Sequence, residues 1–278
     1  MTASLSEERI RIPNGSMRAR LHGRSDAPLV LGVPGLSANA LSFDAIGAEI
    51  AAHGGRLVAL DLRGRGRTPA GEPGTHGWES HARDLLDVAS ALSADSFDVV
   101  GHSMGAFVGL TLANLAPSRL RRLVLIDAVG VPDPRAMPPV IAAANRLATT
   151  YASIDAFVSG VKSAGIVPWS PFWERHYRDD LVPTDGGVKL RASSAAILED
   201  MAYAAKTEVR AMWPGVRAKS LLLRAGVPMG PGGFIVTAED RDGYVAAAPD
   251  ARAFEIDANH YGIMTHPDTA TRTWEFLR

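Results

Sequence analysis

The pentapeptide Gly101-His102-Ser103-Met104-Gly105 directly follows the apolar run Phe97-Asp98-Val99-Val100 and precedes a helical pattern over 106–116. A Gly-x-Ser-x-Gly segment between a strand and a helix folds as a sharp turn with the serine at its apex. Glycine is needed on both sides because side chains there would clash with the adjoining strand and helix. The turn lifts Ser103 Oγ out of the sheet, where a base can reach it. A serine hydroxyl is a poor nucleophile at neutral pH, so it needs a base, and the base needs an orienting acid. The best base is His260, in Asp257-Ala258-Asn259-His260-Tyr261-Gly262, a loop after the last predicted strand. His102 adjoins the serine at a sharp turn and points elsewhere. His266 adjoins Pro267 and suits the start of a helix. His22, His53, His76, His81 and His176 show no i, i+4 pairing, so no metal is expected.

Short apolar runs alternating with helical patterns must position these groups. Strands are predicted at 8–12 and 17–22 about an Asn14-Gly15 turn, then at 29–33, 56–60, 97–100, 120–126, 220–224 and 253–256. Helices are predicted at 43–52, 80–92, 106–116 and 267–277, the last with Pro267 in its first turn. This alternation implies a mostly parallel central sheet with helices on both faces. In such sheets the site lies at the carboxyl ends of the strands. Pro34-Gly35-Leu36, Asp61, Ser103 and Asp127 all fall just past a strand end. From Val129-Gly130-Val131-Pro132 to about Val216 no strand run appears, and 139–150, 154–164, 171–180 and 192–206 read as helices. The organisation expected is an α/β core over 1–130 and 217–278, with a helical lid over 131–216.

A chain of 278 residues, 46% hydrophobic and 21% charged, suits one α/β domain with an inserted subdomain. Its formal net charge of −1 and scattered arginines offer no basic field for nucleic acid or an anionic membrane. The chain has no cysteine, which excludes disulfides, thiolate nucleophiles and cysteine–metal sites. The segment 1–9 carries no apolar leader, and no stretch approaches a membrane span of roughly 20 apolar residues. The expected location is therefore the cytoplasm. The segment 61–68 lacks the Gly-x-Gly-x-x-Gly spacing and a following lysine, so it reads as a turn rather than a nucleotide loop. The Pro- and Gly-rich 227–233 segment reads as a surface loop. Oligomeric state is not legible.

In combination, Val33-Pro34-Gly35-Leu36-Ser37, Asp61-Leu62-Arg63-Gly64-Arg65-Gly66-Arg67-Thr68, the Ser103 pentapeptide and Asn259-His260-Tyr261 resemble the α/β-hydrolase-fold superfamily, in its lid-bearing serine esterase/lactonase type. The resemblance covers nearly the whole chain outside the lid. It implies Ser103 as nucleophile and His260 as base, with the backbone N–H groups of Leu36 and Met104 as the oxyanion hole. Each such donor contributes roughly 3 kcal/mol to the transition state. Relatives usually carry His-Gly where this chain has Pro34-Gly35, which changes the hydrogen bonds supporting that loop. In most relatives the acid follows the strand equivalent to 220–224, where this chain has no carboxylate. A minority place it after the preceding strand, where Asp127 stands. Asp127 is the preferred acid; Glu239, Asp240 and Asp242 are the alternatives.

The reaction expected is cleavage of a carboxylic ester or lactone of a fairly apolar small molecule through an acyl-enzyme, with no cofactor. Trp169, Phe172, Trp173 and Met137 are candidates for an apolar pocket under the lid, against a plain packing role for each. A serine nucleophile argues against the dehalogenase and epoxide hydrolase chemistry of this fold, which uses aspartate. A carbon–carbon bond hydrolase, an acyltransferase, a non-catalytic ligand receptor and a partner-binding scaffold are the other readings.

Overall fold

The computed structural model describes residues 5–278. Residues 1–4, on which the reading of a leaderless start partly rests, lie outside that range. The first half holds β1 (Leu5–Ile12), β2 (Gly15–Gly23), β3 (Leu29–Val33), α1 (Asp44–Ala52), β4 (Arg56–Leu60), α2 (Trp78–Ala91), β5 (Phe97–His102), α3 (Met104–Leu115) and β6 (Leu120–Ile126). The segment after β6 holds α4 (Met137–Asn145), α5 (Ile154–Ser163), α6 (Pro171–Asp179), β7 (Leu181–Thr184), β8 (Gly187–Leu190) and α7 (Ser194–Ala204). The chain closes with β9 (Lys219–Ala225), α8 (Ala238–Ala247), β10 (Ala251–Ile256) and α9 (Pro267–Leu277).

Eight strands form one sheet in the order β1-β2-β4-β3-β5-β6-β9-β10. Pairing is antiparallel at β1/β2 and β2/β4 and parallel from β4 through to β10. β3 and β5 are buried along their whole length. Their alternate residues feed opposite cores: Leu31 and Val99 pack with α2 and α3, whereas Val30 and Val100 pack with α1 and α9. Apolar side chains are therefore required at successive positions, which is why these strands read as unbroken runs.

Two local expectations are corrected. The first hairpin pairs Ile12 with Gly15, so its loop is Pro13-Asn14 rather than Asn14-Gly15. The 131–216 insert is not wholly helical, because β7 and β8 form an antiparallel hairpin within it. These strands are four residues each and include Pro183, too short and too broken to register as a periodic run. Some basic residues scattered along the sequence share a hollow with Asp98 and Asp250, where Asp98 pairs with Arg121 at 2.7 Å. Arg56, Arg121, Arg122, Arg217 and Lys219 line this hollow, of about 730 Å³, at the amino ends of the strands, opposite the edge that carries Ser103.

The turn reading of 61–68 holds. Buried Asp61 accepts backbone N–H bonds from Ala40 at 2.7 Å and Arg67 at 2.8 Å, and faces Arg18 at 3.3 Å. A Cβ on Gly66 would lie 2.2 Å from Asp61 Oδ2, and Gly66 has φ +50°, so only glycine closes this loop.

Candidate active site

Ser103 links β5 to α3 with φ 54° and ψ −122°, a left-handed conformation costly to a side-chain-bearing residue. Its N–H donates to the Ile126 carbonyl at 3.0 Å, tying the turn to β6. A Cβ on Gly101 would lie 2.2 Å from the Gly105 carbonyl oxygen, and one on Gly105 would lie 2.0 Å from that of Val33. Both glycines are thus required by contact with main chain, which cannot swing aside. Ser103 remains half-buried at the apex.

Asp127, just past β6, also has positive φ, 47°. Its N–H donates to the Leu223 carbonyl at 2.8 Å, and its Oδ1 accepts the Ala225 N–H at 2.9 Å. These bonds to β9 aim the second oxygen at the loop after β10. There His260 Nδ1–H donates to Asp127 Oδ2 at 2.8 Å, with the two side chains 5% and 1% exposed. With Nδ1 carrying the proton, Nε2 keeps its lone pair. The His260 carbonyl accepts from His102 Nε2 at 3.0 Å, and the two rings lie 4.6 Å apart between centroids. His260 is thereby fastened to the residue next to Ser103. Burial, with the His260 imidazole alongside, lowers the His102 pKa well below its usual value. A neutral, bonded His102 is a brace rather than a base. Asn259 fixes the same loop: its Oδ1 accepts from Gly262 N–H at 2.8 Å, and its Nδ2 donates to the Ile166 carbonyl at 2.8 Å.

The alternative carboxylates lie elsewhere. Glu239 is exposed, and Asp242 is engaged by Arg241 at 2.8 Å. Asp240 is buried, but its oxygens accept from Val131 N–H at 2.9 Å and Arg210 Nε at 2.7 Å.

The Pro34-Gly35-Leu36 loop presses against the serine, since a Cβ on Gly35 would lie 3.2 Å from Ser103 Cβ. Met104 opens α3, where the first N–H groups have no partner within the helix. The Leu36 carbonyl accepts from Arg65 Nε at 2.9 Å. The sequence places Arg65 in the 61–68 turn segment and carries no sign of this contact.

Of the four apolar pocket candidates, Trp173 lies beside Tyr261, the chain neighbour of His260, with ring centroids 6.1 Å apart, in a cavity whose lining does not include Ser103, Asp127 or His260. Trp173 is buried and lines this cavity, of about 50 Å³, together with His102 and Tyr261. Trp169 stacks on Tyr177 with centroids 5.9 Å apart, and Phe172 packs on Trp173 at 5.2 Å, one layer further out. Met137, half-buried at the start of α4, is not among the cavity residues. The insert also supplies Arg146, His176 and Asp180 to the cavity lining. Burial lowers the His176 pKa to about 4 and pushes the Asp180 carboxyl up to about 8. Among the described residues, no group of three or more His, Cys, Asp or Glu side chains could hold a metal ion. No described helix is long and apolar enough to cross a membrane.

Residues 28–214 match the alpha/beta hydrolase fold family, and the chain belongs to it. Over 120 residues it is 37% identical to a protein of Rhizobium rhizogenes named "Putative carbamate hydrolase RutD", covering 42% of this chain and 45% of that one. It is 36% identical over 118 residues to N-formylmaleamate deformylase of Pseudomonas putida, covering 42% and 43%. The chain thus spans less than half the length of these curated relatives. Among solved structures it resembles E-2-(acetamidomethylene)succinate hydrolase, with a TM-score of 0.83 at 21% identity, covering 99% of each chain. It also resembles the enol-lactonase of Burkholderia xenovorans, with a TM-score of 0.76 at 18% identity, covering 97% of this chain and 99% of that one.

Proposed function

We propose that the protein is a serine hydrolase that cleaves a carboxylic ester or lactone of a small molecule through an acyl-enzyme. The observation that carries this reading is the 2.8 Å contact of Asp127 with His260, on a loop fastened beside the Ser103 turn. In this reading Ser103 Oγ attacks the carbonyl carbon while His260 Nε2 takes the hydroxyl proton. Asp127 holds the imidazole in the required tautomer and steadies the imidazolium. Negative charge on the carbonyl oxygen is met by the N–H groups of Leu36 and Met104. His260 then protonates the leaving oxygen and activates the water that releases the acid. No cofactor enters this sequence.

The 131–216 insert acts as the lid of this site, with Trp173 and Tyr261 forming its aromatic wall. The core is then 1–130 with 217–278. A second reading is favoured by the polar side of the cavity and by the names of the curated relatives: the bond cleaved joins the acyl carbon to nitrogen, as in a carbamate or formamide. The same residues serve, and His260 protonates a leaving nitrogen instead of oxygen.

The test is turnover of p-nitrophenyl acetate and butyrate by wild type and Ser103→Ala, with ammonia or amine release from simple carbamates and formamides measured alongside. Serine-dependent release of nitrophenol is expected. Equal rates for wild type and Ser103→Ala would remove the acyl-enzyme.

A further inference from the structure

Arg65 is fully buried. A cation at that depth is retained only where its donors are matched. Its Nε donates to the Leu36 carbonyl at 2.9 Å and its Nη1 to the Arg63 carbonyl at 2.8 Å. Its Nη2 is paired with Asp200, and also lies 4.0 Å from Met104 Sδ. One planar group therefore touches both residues whose N–H groups form the oxyanion hole in the proposed reaction.

Asp200 belongs to α7, in the insert. It is fully buried and accepts from Gly77 N–H at 2.6 Å and from His81 Nε2 at 3.1 Å. Burial alone would raise its carboxyl, but the His81 and Arg65 contacts outweigh this and hold its pKa at about 2. The insert is joined to the same turn by main chain, because Ser193 N–H donates to the Gly64 carbonyl at 2.8 Å. Pro34 offers the Leu36 loop neither an N–H nor a polar side chain, and within the loop Ala38 N–H donates to the Gly35 carbonyl at 3.2 Å.

We infer that Arg65 is a positioning residue: its guanidinium holds the Leu36 main chain in place beside Ser103 and rests against the Met104 side chain, and Asp200 of the insert holds the guanidinium. This rests on the reading of Leu36 and Met104 as oxyanion donors. Fixing the Leu36 carbonyl fixes the residue whose N–H faces the reacting oxygen. A displacement of under an ångström there weakens transition-state binding while leaving ground-state binding nearly intact.

The test compares wild type, Arg65→Lys, and the double variant Arg65→Met with Asp200→Leu, which removes both charges together. Turnover of p-nitrophenyl acetate, binding of a boronic acid that mimics the tetrahedral intermediate, and thermal unfolding are measured on the full chain. Both variants should lose roughly 10- to 100-fold in kcat and a similar factor in boronate affinity, with KM changed less than about threefold. Arg65→Lys keeps the charge facing Asp200 and cannot span the same contacts; it carries the test if the double variant does not fold. Folded variants with wild-type kcat and boronate affinity would overturn the inference. Turnover that survives Ser103→Ala would instead overturn the acyl-transfer reading, and this inference with it.

Discussion

Asp127 and His260, 133 residues apart in the chain, meet at 2.8 Å with both side chains nearly closed to solvent. The Ala225 N–H on Asp127 Oδ1 and the His102 ring on the His260 carbonyl hold the two from opposite sides. The aspartate is thus placed by β9 although it follows β6. Asp127→Asn preserves the Oδ1 acceptor but offers His260 an amide, which favours the wrong tautomer. Ester turnover should fall by about 10³- to 10⁴-fold with little change in thermal unfolding. Asp240→Asn should do the reverse, costing about 1–3 kcal/mol in urea unfolding through its Val131 and Arg210 contacts with kcat nearly unchanged. A large kcat loss for Asp240→Asn alone would reassign the acid.

The glycines around the serine are not equivalent. Gly105→Ala puts a methyl group 2.0 Å from the Val33 carbonyl oxygen, and main chain must move, so a loss of about 3 kcal/mol or more is expected. Gly35→Ala meets the Ser103 side chain at 3.2 Å, and a shift of tenths of an ångström relieves it. That variant should fold yet turn over roughly ten times more slowly. Gly160→Ala, in α5 with nothing near its Cβ, should gain about 0.5–1 kcal/mol. Chemical denaturation of the three variants, with ester assays, checks the ranking.

Asp180 gives the protein a pH-dependent stability. Its carboxyl is pushed up to about 8, chiefly by burial, with the neighbouring Asn39 side chain opposing the shift. The unfolded chain releases that proton near pH 4, while the folded chain keeps it until pH 8. The folded state binds more protons between those values, so stability from this group falls as pH rises through the window. Asp180→Asn removes the loss. Its stability advantage over wild type should grow from pH 5 to pH 8 and then level off; a constant difference in urea midpoint would contradict this.

Trp173 and Met137, paired in the sequence reading as pocket candidates, should separate on mutation. Trp173→Ala opens a buried site beside Tyr261 and should cost roughly 3–5 kcal/mol with a raised KM. Met137→Ala should change stability by less than about 1 kcal/mol and leave KM alone. Equal effects on KM would place Met137 at the substrate after all.

The parts of the fold that could be read from sequence are those with continuous local pattern. β3 and β5 announce themselves because both faces are buried, and Ser103 because its turn demands glycine on both sides. His260 was placed by a topological rule, the convergence of strand ends; Asp127 lies on the same edge, but its reading as the acid came from the resemblance to relatives that place the acid after this strand. The β7/β8 hairpin was lost because four-residue strands carry almost no period. The helix α8 was lost because Ala238–Ala247 mixes charge and glycine with no clear apolar stripe. The Arg65–Asp200 pair joins positions 135 apart, and nothing local to either residue marks a contact of that range. The underside hollow escaped notice for the same reason, since its cations come from the starts of separate strands.

Asp127 leaves the sheet immediately before the chain departs into the 131–216 excursion, and it hangs from the strand next to the one that carries Ser103. The distance between those two positions is therefore set by neighbouring rungs of one ladder, upstream of any variation in the excursion itself. A replaced or lengthened excursion has one demand to meet on return: β9 must re-enter alongside β6 so that Ala225 finds the aspartate. In the proposed reaction, this arrangement lets the 131–216 insert vary in length and sequence while Ser103 and Asp127 keep their mutual geometry.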